Sequence, residues 1–259
     1  MNYGLYLSAS GVLTNSYRQD VFANNLANVN TVGFKPDLPT LTPRPPEAAE
    51  DPAPFGTPND LLDRLGGGVY VGPQRTSYAP GPIEQTGRPL DVALTDRNSF
   101  FAVQTTNPDT GETAVRLTRD GRLAVDGRGH VVTATGHRVL GPNDQPLSVA
   151  PNAELTVTAD GRLQQNGVDV ARLQVAAVAD PQTLTKQGQN LFAFTGSDPR
   201  TPSANPVLRV GALESSGTNA IATMMQIMAA TKAASGNARL IQYHDTLMDR
   251  AINTFGRVA

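Results

Sequence analysis

No proline occurs before Pro36, and none occurs from Asn219 to Phe255. A proline inside a helix removes a hydrogen bond and clashes with the preceding turn, so these two stretches are where the chain is free to build long helices. Both carry a helical period. In the first, Leu5, Ala9, Val12, Ala23 and Leu26 recur at three-four spacing, with Ser16 and Gln19 between them and Leu13 and Phe22 widening the stripe. In the second, positions 224, 227, 231, 234, 238, 241, 245, 248, 252 and 255 follow the same alternation, with Thr231 and Asp245 as polar exceptions. At ~1.5 Å per residue the second helix extends on the order of 55 Å. Its centre is small-sided at Ala234 and Ala238, with Gly236 nearby, which permits close helix approach. So thin a seam is weak in isolation and needs a partner, either the first helix or neighbouring copies.

The asparagines at 24, 25, 28 and 30 predict the end of the first helix, because their side chains compete for backbone hydrogen bonds. Gly33 is the candidate for a positive φ just beyond it. Eight prolines between Pro36 and Pro58 then predict an extended arm or linker over 36–65. Gly66-Gly67-Gly68 precedes a strand instead of following one, which fits a flexible joint and not a phosphate loop.

Residues 66–216 read as β. Candidate strands are 69–71, 90–95, 100–105, 115–118, 131–133, 155–158, 173–178, 191–194 and 207–210, divided by turn residues. Asp120-Gly121-Arg122-Leu123 recurs as Asp160-Gly161-Arg162-Leu163, and Asp126-Gly127 and Asn166-Gly167 lie a short strand further on. Each of these pairs predicts a two-residue type I′ hairpin. The resulting fold class is α+β. Terminal helices (1–35 and 217–259) pair as a coiled-coil-like layer around a central all-β domain, with the arm at 36–65.

Composition excludes several functions. The 259 residues carry a net charge of −2 with scattered arginines, so no basic stripe faces a nucleic acid. No cysteine is present, which removes disulfides, thiolate metal sites and cysteine nucleophiles. Aromatics make up 5% and tryptophan is absent, so the core rests on Leu, Val, Ile and Ala. Asn2, Ser8, Ser10 and Gly11 interrupt the apolar start and no basic region precedes it, so no cleaved signal peptide is expected. No run approaches the ~18–20 apolar residues a membrane helix needs. His130, His137 and His244 share no metal spacing. Asp91 and Asp96 flank a strand and are read as turn or strand-end caps, not a catalytic pair. Neither catalysis, a metal, a cofactor nor a small-molecule substrate is expected.

Asn24-Asn25-Leu26-Ala27-Asn28-Val29-Asn30-Thr31-Val32-Gly33-Phe34-Lys35 resembles the N-terminal signature of the bacterial flagellar rod and hook family. Gly81 through Leu94 resembles that family's entry into its β domain, Leu117 through Leu123 its following hairpin, and Gly211 through Ser216 the approach to its last helix. Three places depart from the family pattern. Thr95-Asp96-Arg97-Asn98-Ser99-Phe100-Phe101 lacks two glycines usual before the second strand, Ser216-Gly217-Thr218 replaces a Ser-Asn-Val, and Ala233-Ala234-Ser235-Gly236 stands mid-helix.

The resemblance implies a basal-body rod subunit, most like the proximal one from its opening Met1 to Tyr6 and its proline-rich arm. A distal rod or hook-type axial subunit is the near alternative, and a non-polymerising secreted β-domain adhesin the distant one. It further implies export through the flagellar type III apparatus without a cleaved signal, residence in the rod crossing the periplasm, and contact with itself and other axial proteins. The terminal segments would be largely disordered in the free monomer and fold as subunits stack. Expected subunit-interface residues are Leu5, Val12, Asn24, Asn25, Leu26, Asn28, Asn30, Gly33, Phe34, Ile227, Ile241, Met248 and Ile252. Periodicity alone leaves the helices equally open to packing within one chain.

Overall fold

A computed structural model describes residues 3–45, 66–106, 111–150, 153–194, 198, 200–203 and 206–255. The chain divides into two compact units. One comprises Met1–Ala27, Asp37–Arg75 and Asn219–Ala259, the other Asn28–Pro36 and Thr76–Thr218. The α+β class holds, with a helix at each end and strands between.

In the first unit, α1 spans Tyr3–Ala27 and α2 spans Ala220–Phe255. Asn219 caps α2, its Oδ1 accepting from the Ala222 amide at 3.0 Å and its carbonyl from the Thr223 amide at 2.9 Å. This satisfies amides that a helix start otherwise leaves orphaned. The two helices pack together and run antiparallel, with Gly4 of α1 against His244 and Gly11 against Asn237.

A two-stranded antiparallel ribbon of Leu41–Pro43 and Val69–Val71 lies against α1, where the Ser10 hydroxyl donates to the Val69 carbonyl at 2.7 Å. Strand therefore replaces arm over part of 36–45. A two-stranded ribbon consists of edges, and an edge position tolerates Pro43. The rest of the expected arm, 46–65, lies outside the described residues. The strand Val69–Val71, expected in the β domain, belongs instead to the unit that holds the helices.

The second unit is antiparallel β. Its main sheet runs Leu184–Lys186, Leu191–Phe194, Thr113–Thr118, Ser99–Thr106, Arg138–Gly141, Val131–Thr133, Leu123–Val125. Val175–Val178 also pairs with Ser99–Thr106, and Arg200–Pro202 pairs with Val175–Val178. Successive strand residues point to opposite faces, so Phe100 and Phe101, both fully buried, enter different cores. Phe101 joins Val92, Leu123, Val139 and Leu163. Phe100 joins Tyr78, Leu117 and Phe192, its ring 6.0 Å from Tyr78 and 5.6 Å from Phe192. The first of these cores is otherwise aliphatic, and the aromatic rings concentrate in the second.

Among the four expected type I′ turns, Asn166-Gly167 has positive φ at both residues, 51° and 79°. Asp160-Gly161 has it at Gly161 alone, and neither Asp120-Gly121 nor Asp126-Gly127 has it. Gly121 answers a different need. Its carbonyl accepts from the Val92 amide at 3.0 Å, and a Cβ there would fall 1.7 Å from the Val92 carbonyl oxygen. Close backbone approach, not turn geometry, requires the glycine.

Candidate assembly surface

The exit from α1 is built by side chains turning back on the backbone. The Asn25 amide donates to the Asp37 carbonyl at 2.7 Å and accepts from the Asp37 amide at 2.8 Å. Asparagine carries an N–H donor group and a carbonyl acceptor in one plane, so it pairs with a single residue's backbone as a neighbouring strand would. The Thr31 hydroxyl donates to Asn28 Oδ1 at 3.1 Å, and the Thr31 amide to the Asn28 carbonyl at 3.1 Å.

Within the β unit, Val32–Lys35 is held from several sides. Gly33 has φ +67°, as expected from sequence, and its amide donates to the Glu214 carbonyl at 2.6 Å. Asn190 donates to the Val32 carbonyl at 2.7 Å, and the Gly217 amide to the Phe34 carbonyl at 2.9 Å. Phe34 is buried beneath the Lys186 ammonium, 4.5 Å from its ring centroid.

Lys35, fully buried, reaches Glu214 at 2.7 Å and donates to the Ala79 carbonyl at 3.0 Å. Glu214 also meets Arg119 at 3.3 Å and accepts from the Gly81 amide at 2.8 Å. Arg119 lies 4.9 Å over the Phe100 ring. Burial pushes the Lys35 amine below its usual value, with Glu214 opposing the shift and Arg119 adding to it. Burial likewise lowers Arg119. One carboxylate thus serves two buried cations, and the desolvation is offset by several directed hydrogen bonds.

The expected interface residues therefore separate. Asn25, Gly33 and Phe34 are buried in contacts within their own chain, because backbone partners lie in reach. Leu5, Val12, Leu26, Asn28, Ile227 and Ile241 are half-buried, and Asn24, Asn30, Met248 and Ile252 are exposed.

Along α2 the more buried positions are Thr223, Ile227, Ala230, Ala234, Asn237, Ala238, Ile241 and His244, with Ala220 and Ala251 toward its ends. This line shares Ile227, Ala234, Ala238 and Ile241 with the expected seam and is rotated by one residue at Thr223, Ala230, Asn237 and His244. Apart from Ile227 and Ile241 it selects small and polar side chains. The large apolar ones point outward: Ile221 is 74% exposed and Ile252 68%, with Met224, Met225, Met228, Leu240, Tyr243, Leu247 and Met248 also exposed. In the small-sided centre expected to permit close approach, Ala234 and Ala238 are half-buried, Gly236 has open space around it, and on α1 Gly4 and Gly11 make close contacts.

Sequence reasoning missed Lys35, Arg119 and Glu214 as a group. The available signal was that each is a charged residue inside a different family-like segment. It also missed Gly4 and Gly11 against His244 and Asn237.

Other polar groups serve structure. Asp96 accepts from the Ser99 hydroxyl at 2.8 Å, and Asp91 accepts from the Thr86 hydroxyl at 2.8 Å. His130 pairs with Ser148 and His137 with Gln189. Among the described residues, no group of three His, Asp or Glu could hold a metal ion, and no helix is long and apolar enough to cross a membrane.

Residues 5–35 match the family model described as flagella basal body rod protein. The chain is 27% identical to the flagellar basal-body rod protein FlgF of Caulobacter vibrioides over 262 residues, covering 100% of both. It is 29% identical to FlgF of Escherichia coli over 265 residues, 97% of each. It is 27% identical to the flagellar basal-body rod protein FlgG of Bacillus subtilis over 268 residues, 96% of this chain and 97% of the relative. Over nearly its whole length the chain is thus similar to flagellar basal-body rod proteins, and its N-terminal segment matches their family model.

Proposed function

We propose that this chain, a relative of the flagellar basal-body rod proteins over its full length, is a structural subunit of the bacterial flagellar rod that polymerises through its terminal helices. The observation that carries the reading is the outward apolar face of α2. A helix that spends its small and polar residues on its intrachain contact and presents Ile221, Met224, Met225 and Met228 to solvent has an unfilled demand for burial. Neighbouring copies meet that demand at ~25 cal/mol per Å² of apolar surface removed from water. The start of α2 and the start of α1, where Tyr6 and Leu13 are exposed, lie at opposite ends of an antiparallel pair. Two different patches at opposite ends favour head-to-tail contacts, which give an open filament when the rotation does not close.

In this reading the subunit leaves by the flagellar type III route, works in the rod across the periplasm and contacts other axial proteins. Its loosely held helices tighten into a coiled-coil layer on assembly. Asn24 and Asn30 are exposed at the helix exit, where in this reading they face neighbouring copies. A proximal position is the finer assignment, supported by the resemblance of Met1–Tyr6 and of the proline-rich arm.

The test is the triple variant Ile221→Gln, Met225→Gln, Met228→Gln. The variant monomer is expected to keep the parent's circular dichroism while forming no filaments by electron microscopy and restoring no swimming to a strain lacking the parent gene. Filaments and swimming at parental levels would remove α2's outer face from the mechanism.

A further inference from the structure

Gly4 and Gly11 stand seven residues apart on α1, and Asn237 and His244 stand seven apart on α2. A Cβ at Gly11 would lie 2.2 Å from Asn237 Nδ2, and one at Gly4 would lie 2.8 Å from His244 Nε2. Both gaps are closer than non-bonded atoms approach, so each polar side chain occupies the space that a side chain on α1 would fill. Glycine inside a helix costs about 1 kcal/mol relative to alanine. Two such positions, each filled by a polar side chain of the partner helix, are a specific fit and not a default. The rest of the inward line of α2 is small at Thr223, Ala230, Ala234 and Ala238, and its two large members, Ile227 and Ile241, stand fourteen residues apart and are only half-buried. A polar residue at a seam position fixes alignment at some cost in stability.

We propose that Asn237 and His244, seated in the recesses left by Gly11 and Gly4, lock the axial register of the two terminal helices. Antiparallel pairing at these two points sets Tyr3 level with residue 245. Residues 246–255 then run past the start of α1 as a stub of ~15 Å, with Leu247, Met248 and Ile252 exposed on it. A slip of one heptad would change that stub by about 10 Å. On the rod reading, which the lock itself does not require, the stub's length is what a neighbouring copy meets.

The chain has no native cysteine, so engineered pairs report register directly. Ser8→Cys is combined in turn with Ile241→Cys, Ala234→Cys or Met248→Cys in the full-length purified protein, and disulfide yield is measured under mild oxidation. The locked register brings residue 8 beside 241, so that pair is expected to exceed the other two by about tenfold. Adding Asn237→Ala with His244→Ala, or Gly4→Ala with Gly11→Ala, is expected to bring the three yields within about twofold. The exposed control Gln226→Ala with Gln242→Ala is expected to leave the preference intact. Retention of the tenfold preference in both lock variants overturns the proposal, as do equal yields in the parent. Hydrogen-exchange protection of the Ser99–Thr106 strand keeps a general folding failure separate from loss of register. Because the readout is intramolecular, a chain that fails to form rods can still show the lock.

Discussion

Glu214 holds Lys35 at 2.7 Å across 179 positions of sequence, with both side chains almost completely buried. The pair brings the last residue of the N-terminal signature to the strand Ala212–Glu214, shortly before the C-terminal helix begins. The signature's end is thus an internal clasp of the β unit.

Removing the shared carboxylate should cost more than removing one cation. Glu214→Gln leaves Lys35 and Arg119 buried with their common counter-charge gone, and a broken buried ion pair costs about 3–5 kcal/mol. Lys35→Met leaves Glu214 with Arg119 and the Gly81 amide, so its cost should be smaller. Urea unfolding followed by far-ultraviolet circular dichroism ranks them, and the reverse order would contradict the clasp.

Gly33→Ala should destabilise the same clasp through the backbone. At φ +67° a non-glycine residue is strained by about 1–3 kcal/mol. The new Cβ would also lie 2.6 Å from the Arg119 carbonyl oxygen. A lowered midpoint in thermal unfolding is expected, whereas Gly236→Ala, with open space around it, should be neutral or stabilising.

Asn25→Leu should release the helix exit locally. It removes both hydrogen bonds to Asp37 and strands a buried amide, a loss of about 1–3 kcal/mol. The Asp37 amide should lose its hydrogen-exchange protection while amides of Ser99–Thr106 keep theirs. Equal protection at Asp37 in parent and variant would show that the asparagine bonds contribute nothing.

Exchange should also be uneven in the parent. The line of α2 that packs inward is small and polar apart from the half-buried Ile227 and Ile241, so little apolar burial resists its opening. Residues 224–252 are expected to exchange faster than the Ser99–Thr106 strand in the free chain and to become protected on assembly. Protection of α2 equal to that strand in the monomer would count against helices that tighten on assembly.

Acid should loosen the ribbon of Arg162–Gln165 and Val168–Arg172. Asp160 is held below its usual 3.8 first by the Thr158 hydroxyl and also by Arg162, and Asp169 first by Arg162 and then Gln164. A carboxylate lowered in the folded state adds stability that is fully present above 3.8 and lost as pH falls through the lower folded values. Titration of the two carboxyl carbons by NMR should show both midpoints below 3.8, and moving toward it in high salt because both groups are exposed.

Much of the fold was legible. The proline-free ends became α1 and α2, Gly33 took its positive φ, and strands at 69–71, 131–133 and 191–194 formed where alternation placed them. Strands such as Ile83–Gln85 and Ala212–Glu214 were not legible, because each has three residues and no strong period. They exist because they pair with each other. The rotation of α2 was likewise hidden. Ile227, Ala234 and Ile241 belong to two overlapping three-four tracks, and hydrophobicity favours the one through Met224 and Ile252. The structure selects the other, through Ala230, Asn237 and His244, since glycines on α1 leave room for those side chains.

By itself the sequence determined where helices can exist, where the first one ends and which segments mark the family, because proline, asparagine, glycine and periodicity act through local backbone geometry. Tertiary structure alone decided which face of α2 turns inward and that Lys35, Arg119 and Glu214 share one site. Those outcomes depend on close approach between residues far apart in sequence, and local spacing carries no record of what will stand opposite.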